Sequence, residues 1–168
     1  ARVEPVPEPL LWVDANEQLP SWLHGYLGPG LAEGVAWKFA PLQLFRDAYE
    51  LSIDNDCILW RIPSAVVDWL DDPRPSALLA EDVRSCFGQF APICGDERRN
   101  SGLRGLPPGF DLERALRAVL TQRPTLLESE LGEQGPQVAA LLRACPVHSP
   151  TPTGCLPADY HVRGQGQP

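Results

Sequence analysis

The stretch Tyr49-Glu50-Leu51-Ser52-Ile53-Asp54-Asn55-Asp56-Cys57-Ile58-Leu59-Trp60 decides how the rest of the chain is interpreted. Apolar and polar side chains alternate over its first five residues, which predicts a half-buried β-strand. Residues two apart on a strand share a face, so we expect Asp54 and Asp56 to point at one spot. Two converging carboxylates suit a divalent cation that is bridged to phosphate. The alternative is an acidic turn that follows an edge strand.

The composition indicates one globular domain that spans residues 1–168. An apolar fraction of 43% is enough for a core, and the sequence has no run of ~18 apolar residues, so we expect no membrane span. The net charge of −8 argues against binding to nucleic acid or to an anionic lipid surface. No signal peptide is visible, and the absence of Met leads us to expect missing upstream sequence.

The five cysteines are spaced too irregularly for a zinc site. An odd number in a chain of this size fits reduced thiols in a cytoplasmic protein. Pairing of Cys86 with Cys94, or of Cys145 with Cys155, remains an alternative.

Patterns along the chain predict strands that alternate with helices, which is typical of an α/β layer fold. We expect residues 1–9 to form a loose, proline-rich lead-in and residues 146–168 to form a loop-rich tail with room for a last short strand. Strands are predicted at 10–14, 49–54 and 100–109, whereas 77–83 fits either a strand or a helix. Helices are predicted from Pro20, near Pro41, over 64–70 with Ser64 as its cap, after the capping residue Asp111, and over 133–144 with Pro136 in its first turn.

Four segments occur in a telling order. They are Leu51-Ser52-Ile53-Asp54-Asn55-Asp56, Asn100-Ser101-Gly102-Leu103, Glu133-Gln134-Gly135 and His161-Val162-Arg163-Gly164. This order resembles the GT-A class of nucleotide-sugar glycosyltransferases. It is most similar to the retaining family related to glycogenin and to the bacterial galactosyltransferases of lipopolysaccharide synthesis. The resemblance covers about residues 36–168.

The resemblance implies a GT-A-like (Rossmann-like) mixed sheet flanked by helices, incomplete at the N-terminus. It also implies that Asp54, Asp56 and His161 bind Mn²⁺ or Mg²⁺ on the diphosphate of a UDP- or GDP-sugar. The residues independently favour a metal bridge, because an acidic protein cannot hold a diphosphate by its overall field. For His161, a place in a mobile tail is the alternative.

Asn100 and Ser101 resemble the family's segment that lines the donor-sugar and acceptor pocket, and Gln134 its helix-start contact with the sugar. Asn100 and Ser101 also fit a plain turn before Gly102. Lys38, the single lysine, precedes the Asp-x-Asp strand and is a candidate phosphate contact, with a helix-surface role as the alternative.

The sequence departs from the family pattern at two positions. Gln167 stands where the family has a diphosphate-binding Lys, and Gly135 stands where it has the second Asp of its helix motif. The resemblance makes a metal-dependent glycosyltransferase with an unknown acceptor the main hypothesis. A non-catalytic binding protein of the same fold is the second hypothesis, and a phosphohydrolase that uses Asp54 and Asp56 is the third.

Overall fold

A four-stranded sheet organises the protein in the computed structural model, which describes residues 14, 19–28, 37–39, 42–54, 57, 59, 61–82, 84–128 and 130–148. The strands are β1 (Glu50–Ile53), β2 (Ala77–Glu81), β3 (Arg99–Leu106) and β4 (Val147–His148). Their spatial order is β1-β3-β2-β4; the first two neighbouring pairs are antiparallel and the last is parallel.

Helices cover both faces of this sheet. The α-helices are α1 (Ser64–Asp71), α2 (Ala91–Cys94), α3 (Leu112–Gln122) and α4 (Glu130–Ala144). Short 3₁₀ helices occupy Ser21–Tyr26, Trp37–Phe39 and Gly88–Phe90. The coarse prediction of a mixed α/β arrangement is therefore confirmed. The described sheet is small and mainly antiparallel, so it does not establish the expected GT-A-like, Rossmann-like arrangement.

The alternation of β2 divides the core into two clusters. Leu78 packs on one face with Val66 and Trp69 of α1, whereas Ala77 and Leu79 face the larger cluster on the other side. Successive residues of a strand point to opposite faces, so a continuous apolar run such as this one requires cover on both sides. The larger cluster includes the buried stripes of α3 and α4.

Trp69 closes the α1 side of the sheet. Its indole Nε1 donates to the Ser76 carbonyl at 2.6 Å, and its ring meets Tyr49 edge to face with 4.9 Å between centroids. Gly105 of β3 lies beneath the ring, where a β-carbon would come within 2.7 Å of the indole and 2.8 Å of Leu78 Cβ. The strand needs glycine at this position because α1 approaches so closely.

An irregularity in β3 positions the candidate site. Opposite β2, Leu79 pairs with Arg104 but the next residue, Ala80, pairs with Asn100, so the intervening β3 residues bulge away from β2. On the other side, β3 stays in register with β1, and the Asp54 amide extends the pairing by donating to the Gly102 carbonyl at 2.8 Å. Bulges of this kind re-aim side chains at a sheet edge.

Two strand and loop predictions are wrong in detail. The first strand ends at Ile53, and the amide of Cys57 donates to the Asp54 carbonyl at 3.0 Å. Asp56 lies outside the described residues, so the prediction that Asp54 and Asp56 point at one spot stays a prediction. The helix predicted near Pro41 is also wrong: residues 42–48 are bends and loop, held by Glu50, whose Oε2 accepts from the amides of Leu44 and Phe45 at 2.7 Å each.

The helix predictions agree with the structure more closely than the strand and loop predictions, and they differ from it mainly at the first turn of each helix. Asp111 caps α3 as expected, its Oδ1 accepting from the Arg114 amide at 2.9 Å. Ser64 does not cap α1, because Pro63 holds that position and no side chain caps the helix. Helix α4 begins three residues earlier than predicted, which places Pro136 inside the helix rather than in its first turn. The strand predicted at 10–14 lies outside the described residues except for Asp14.

The predicted thiol state is supported where the structure describes it. Cys86 and Cys94 are not joined by a disulfide, and Cys155 lies outside the described residues. Burial raises the pKa of the Cys94 thiol to about 11, although the charge of Arg99 opposes that shift. Cys94 is therefore a protonated, unreactive thiol at neutral pH.

The contact between α1 and β3 yields a stability prediction. Gly105→Ala is expected to lower the free energy of unfolding by about 1–3 kcal/mol, because the new methyl group would overlap Trp69 and the fixed Cβ of Leu78. Gly25→Ala is the matched control: no atom lies within 4 Å of its added β-carbon, so a change within about 0.5 kcal/mol is expected. Urea denaturation of both variants measures the difference, and equal stabilities would contradict the packing argument.

Candidate functional site

Lys38 bridges two carboxylates at the end of β1. Its ammonium Nζ lies 2.8 Å from Asp54 Oδ2 and 3.3 Å from Glu133 Oε2. The 3₁₀ helix that carries Lys38 is anchored by Phe39, which is fully buried in the larger core. Asp54 comes from the residue after β1, and Glu133 from the first turns of α4. Three segments that are distant in sequence therefore meet at one ammonium group.

Glu133 is held from several directions. Only 2% of its surface is exposed, and its Oε1 accepts hydrogen bonds from the Ser101 hydroxyl at 3.3 Å and from the side-chain amide of Gln137. Its other oxygen faces Lys38. A buried carboxylate requires such donors because it has lost its hydration.

A buried arginine continues this network into the sheet. Arg104 of β3 donates from Nη1 to Gln137 Oε1, and from Nη2 to Ser52 Oγ at 3.2 Å and to the Leu42 carbonyl at 3.3 Å. Its Nε is buried and has no hydrogen-bond partner among the described residues. Gln137 thus links the two charged groups: its side-chain oxygen accepts from the Arg104 guanidinium, and its side-chain nitrogen donates to the Glu133 carboxylate.

Burial and charge shift three pKa values in this cluster. Burial raises the pKa of Glu133, and the nearby charge of Asp54 adds to the rise, against the opposing effects of Lys38 and the Ser101 hydrogen bond. For Lys38, burial lowers the pKa, but the hydrogen bond to Asp54 and the charges of Glu133 and Asp54 outweigh it, so the net shift is upward. Burial lowers the pKa of Arg104 despite the surrounding carboxylates. Lys38 therefore carries its charge firmly.

The bulge of β3 brings Asn100 next to Asp54. The Asn100 Nδ2 donates to Asp82 Oδ2 at 2.8 Å, and its Oδ1 accepts from the Gly102 amide. A β-carbon on Gly102 would lie 2.7 Å from Asn100 Oδ1 and 2.8 Å from Asp54 Oδ2. Because Gly102 has no side chain, Asn100 Oδ1 and Asp54 Oδ2 can both lie next to its α-carbon.

Gln134 lies on the neighbouring side of α4. Its Nε2 donates to the carbonyls of Arg99 at 3.2 Å and Cys86 at 3.3 Å, so its amide nitrogen is occupied by backbone contacts. The adjacent Gly135 packs so tightly that a β-carbon there would stand 2.3 Å from the Phe87 carbonyl oxygen. Position 135 therefore has no room for a side chain in this packing.

Of the seven residues proposed from the sequence, the structure brings several together. Lys38, Asp54 and Ser101 meet at or next to Glu133, Asn100 adjoins Asp54 across Gly102, and Gln134 is turned toward the backbone of residues 86 and 99. Lys38 is therefore not a plain surface residue, which was the alternative. Asp56 and His161 lie outside the described residues, so their predicted roles as metal ligands stay predictions.

The donor atoms at Asp54 and Asn100 are hard oxygens of the type that Mn²⁺ and Mg²⁺ prefer. Within the described ranges, however, no three His, Cys, Asp or Glu side chains are grouped so that they could hold a metal ion. The Asp54 and Glu133 carboxylates instead share the Lys38 ammonium. The residues therefore fit a cation in donor type, and a complete ligand set would need the predicted contributions of Asp56 and His161.

Sequence reasoning missed the centre of this network. The motif pattern gives Glu133 only a weak position and assigns no role to Arg104 or Gln137. One signal was available: Glu133 and Gln137 are four residues apart on a predicted helix that continues into the apolar run 138–142, so both lie on one face of a largely apolar element. Arg104 offered a similar signal, as the one charged residue of the strand predicted at 100–109.

Comparison of the chain with protein-family models, with curated proteins and with solved structures found no match. Within the part of the chain that is described, none of the helices has both the length and the apolar character needed to cross a bilayer.

The raised pKa of Glu133 makes stability depend on pH. The native state keeps this proton at pH values where the unfolded chain has lost it, so the free energy of unfolding falls as pH rises through the interval just above 4.5. Glu133→Gln cannot ionise and is expected to flatten this fall. Lys38 stays charged across the interval because its pKa is raised above 10.5. Denaturation from about pH 4 to 7 measures the slope, and Glu113→Gln, a variant on α3, should retain it.

Proposed function

We propose that the protein is a metal-dependent glycosyltransferase that moves a sugar from a UDP- or GDP-sugar to an acceptor. The observation that supports this most is that Lys38 contacts both Asp54 and Glu133, while the Ser101 hydroxyl donates to Glu133. Asp54, Ser101 and Glu133 each belong to a different one of the segments whose order resembles that family. A cluster of perturbed, partly buried charged groups is also the usual setting of a functional site.

In this proposal Asp54, with Asp56 and His161, would hold Mn²⁺ or Mg²⁺, and the cation would neutralise the diphosphate leaving group. The role of Lys38 would be to offer a second positive charge at the same place. Ser101 and Asn100 would line the sugar pocket. Because the amide nitrogen of Gln134 is already bonded to backbone carbonyls, a sugar contact by Gln134 would use its carbonyl oxygen.

A non-catalytic binding protein is the second candidate. Two observations favour it: the Gln134 amide nitrogen is bonded to backbone carbonyls rather than available to a ligand, and Gly135 is sealed against Phe87. Both remove groups that the resembled family offers to its donor sugar. Such a protein would bind a sugar nucleotide with metal but would neither transfer nor hydrolyse the sugar.

The proposal predicts metal-dependent ligand binding. UDP- or GDP-sugars should raise the melting temperature only when Mn²⁺ or Mg²⁺ is present, by several degrees at about 100 times Kd, where binding adds about 2.7 kcal/mol. Asp54→Asn should abolish the shift, because one carboxylate ligand is lost. Asp68→Asn is the matched control, since Asp68 is exposed on α1 on the opposite face of the sheet.

The outcomes separate the three hypotheses. A shift accompanied by release of nucleoside diphosphate supports the transferase, and a shift without turnover supports the binding protein. No shift with any donor, together with Asp54-dependent release of phosphate from a generic phosphoester, would replace both by the phosphohydrolase.

A further inference from the structure

The outer side of α1 exposes a strip of apolar side chains. Ile62 is 62% exposed, and Val67 and Leu70 are 43% exposed each. Ile62 stands just before the N-cap residue Pro63, and Val67 is the fourth residue of the helix, which is the spacing at which two apolar side chains pack together at a helix start. Leu70 follows Val67 by three residues and therefore lies on the same side. Ile62, Val67 and Leu70 thus form one continuous surface, called here the α1 strip.

The helix that carries the α1 strip is fixed on the sheet. Val66 and Trp69 are buried on its opposite side, where they pack with Leu78 of β2. The indole of Trp69 is also tied to the Ser76 carbonyl by a hydrogen bond. Turning the helix to bury the strip would expose these core side chains, at a cost of several kcal/mol. The strip can therefore leave water only when another molecule covers it.

Charges of opposite sign lie at the two ends of the α1 strip. Arg61 directly precedes the strip, whereas Asp68 and Asp71 belong to the last turn of α1, and all three are exposed. Within the described ranges, none of the three takes part in an ion pair. The C-terminal end of a helix favours a cation and disfavours carboxylates, yet α1 has no basic residue in its last turn. The last turn of α1 thus lacks the cation that would stabilise it.

We propose that the α1 strip is a dimer interface, on which a second copy of this chain packs its own α1 antiparallel about a two-fold axis. The strip runs from residue 62 to residue 70, so reversal about its centre places Arg61 of each copy opposite Asp71 of the other. The two strips then cover each other, and each helix receives a cation at its C-terminal end. One short helix buries little area, so the dimer is weak and forms only as concentration rises. This inference does not depend on the proposed function.

Analytical ultracentrifugation of the full chain from about 1 μM to 1 mM tests the proposal. The average mass of the wild type is expected to rise from that of one chain toward that of two. Combining Val67→Ser with Leu70→Ser should weaken the dimer roughly ten-fold, because the apolar contact is lost. Leu126→Ser is the matched control, since Leu126 is 51% exposed but lies between α3 and α4. A wild type that stays monomeric, as expected if a different protein covers the strip, would overturn the proposal.

Exchange of the two end charges tests the antiparallel arrangement. Arg61→Asp and Asp71→Arg should each weaken the dimer several-fold, because each places like charges opposite one another across the two-fold axis. The double variant restores opposite charges and is expected to recover the wild-type dimer. Both residues are exposed, so the variants should keep the fold, which unfolding curves check. A double variant that dimerises no better than the single ones would overturn the proposed interface.

Discussion

A carboxylate that is almost completely enclosed by protein stays in place only if other groups replace its hydration, and Glu133 imposes this requirement on the whole site. Lys38, Ser101 and Gln137 meet it directly. Each of these comes from a different element, so satisfying one buried charge ties the 3₁₀ helix at Trp37–Phe39, strand β3 and helix α4 together. The cost of leaving such a charge unpaired is several kcal/mol, which is a large share of the stability of a typical domain.

The same charge network reaches the sheet through Arg104. This guanidinium is almost fully buried, yet it bonds a side chain on α4, a hydroxyl on β1 and a carbonyl of the preceding loop. A rigid, planar group with several donors can hold three elements at fixed positions, which a lysine could not do as well. The irregular pairing of β3 then turns Asn100 toward Asp54. Scaffold and candidate site are thus built from the same contacts.

Glycines set how closely these parts approach. The Trp69 ring packs directly on Gly105, and two side-chain oxygens lie close to Gly102. The backbone at Phe87 packs against Gly135. At Gly135, neighbouring backbone fills the space that a larger side chain would occupy.

Periodicity was a reliable guide where local signals were strong. It located α1, α3 and β3, because a cap or turn residue bounded each apolar stripe. It was less reliable over 42–48, where Glu50 organises a loop through two amides instead of a helix. A hydrogen bond between a side chain and distant backbone leaves no periodic trace in sequence.

The sequence by itself determined the mixed α/β character, the main strands and helices, and a set of candidate residues of which Lys38, Asp54, Asn100 and Ser101 gather in one place. Only the tertiary structure decided that Glu133 is the common partner, that Arg104 and Gln137 support it, and that Gln134 is bonded to backbone. The reason is physical. Local pattern reports which side of an element is buried, whereas the partner of a buried charge depends on which elements pack together and in what register.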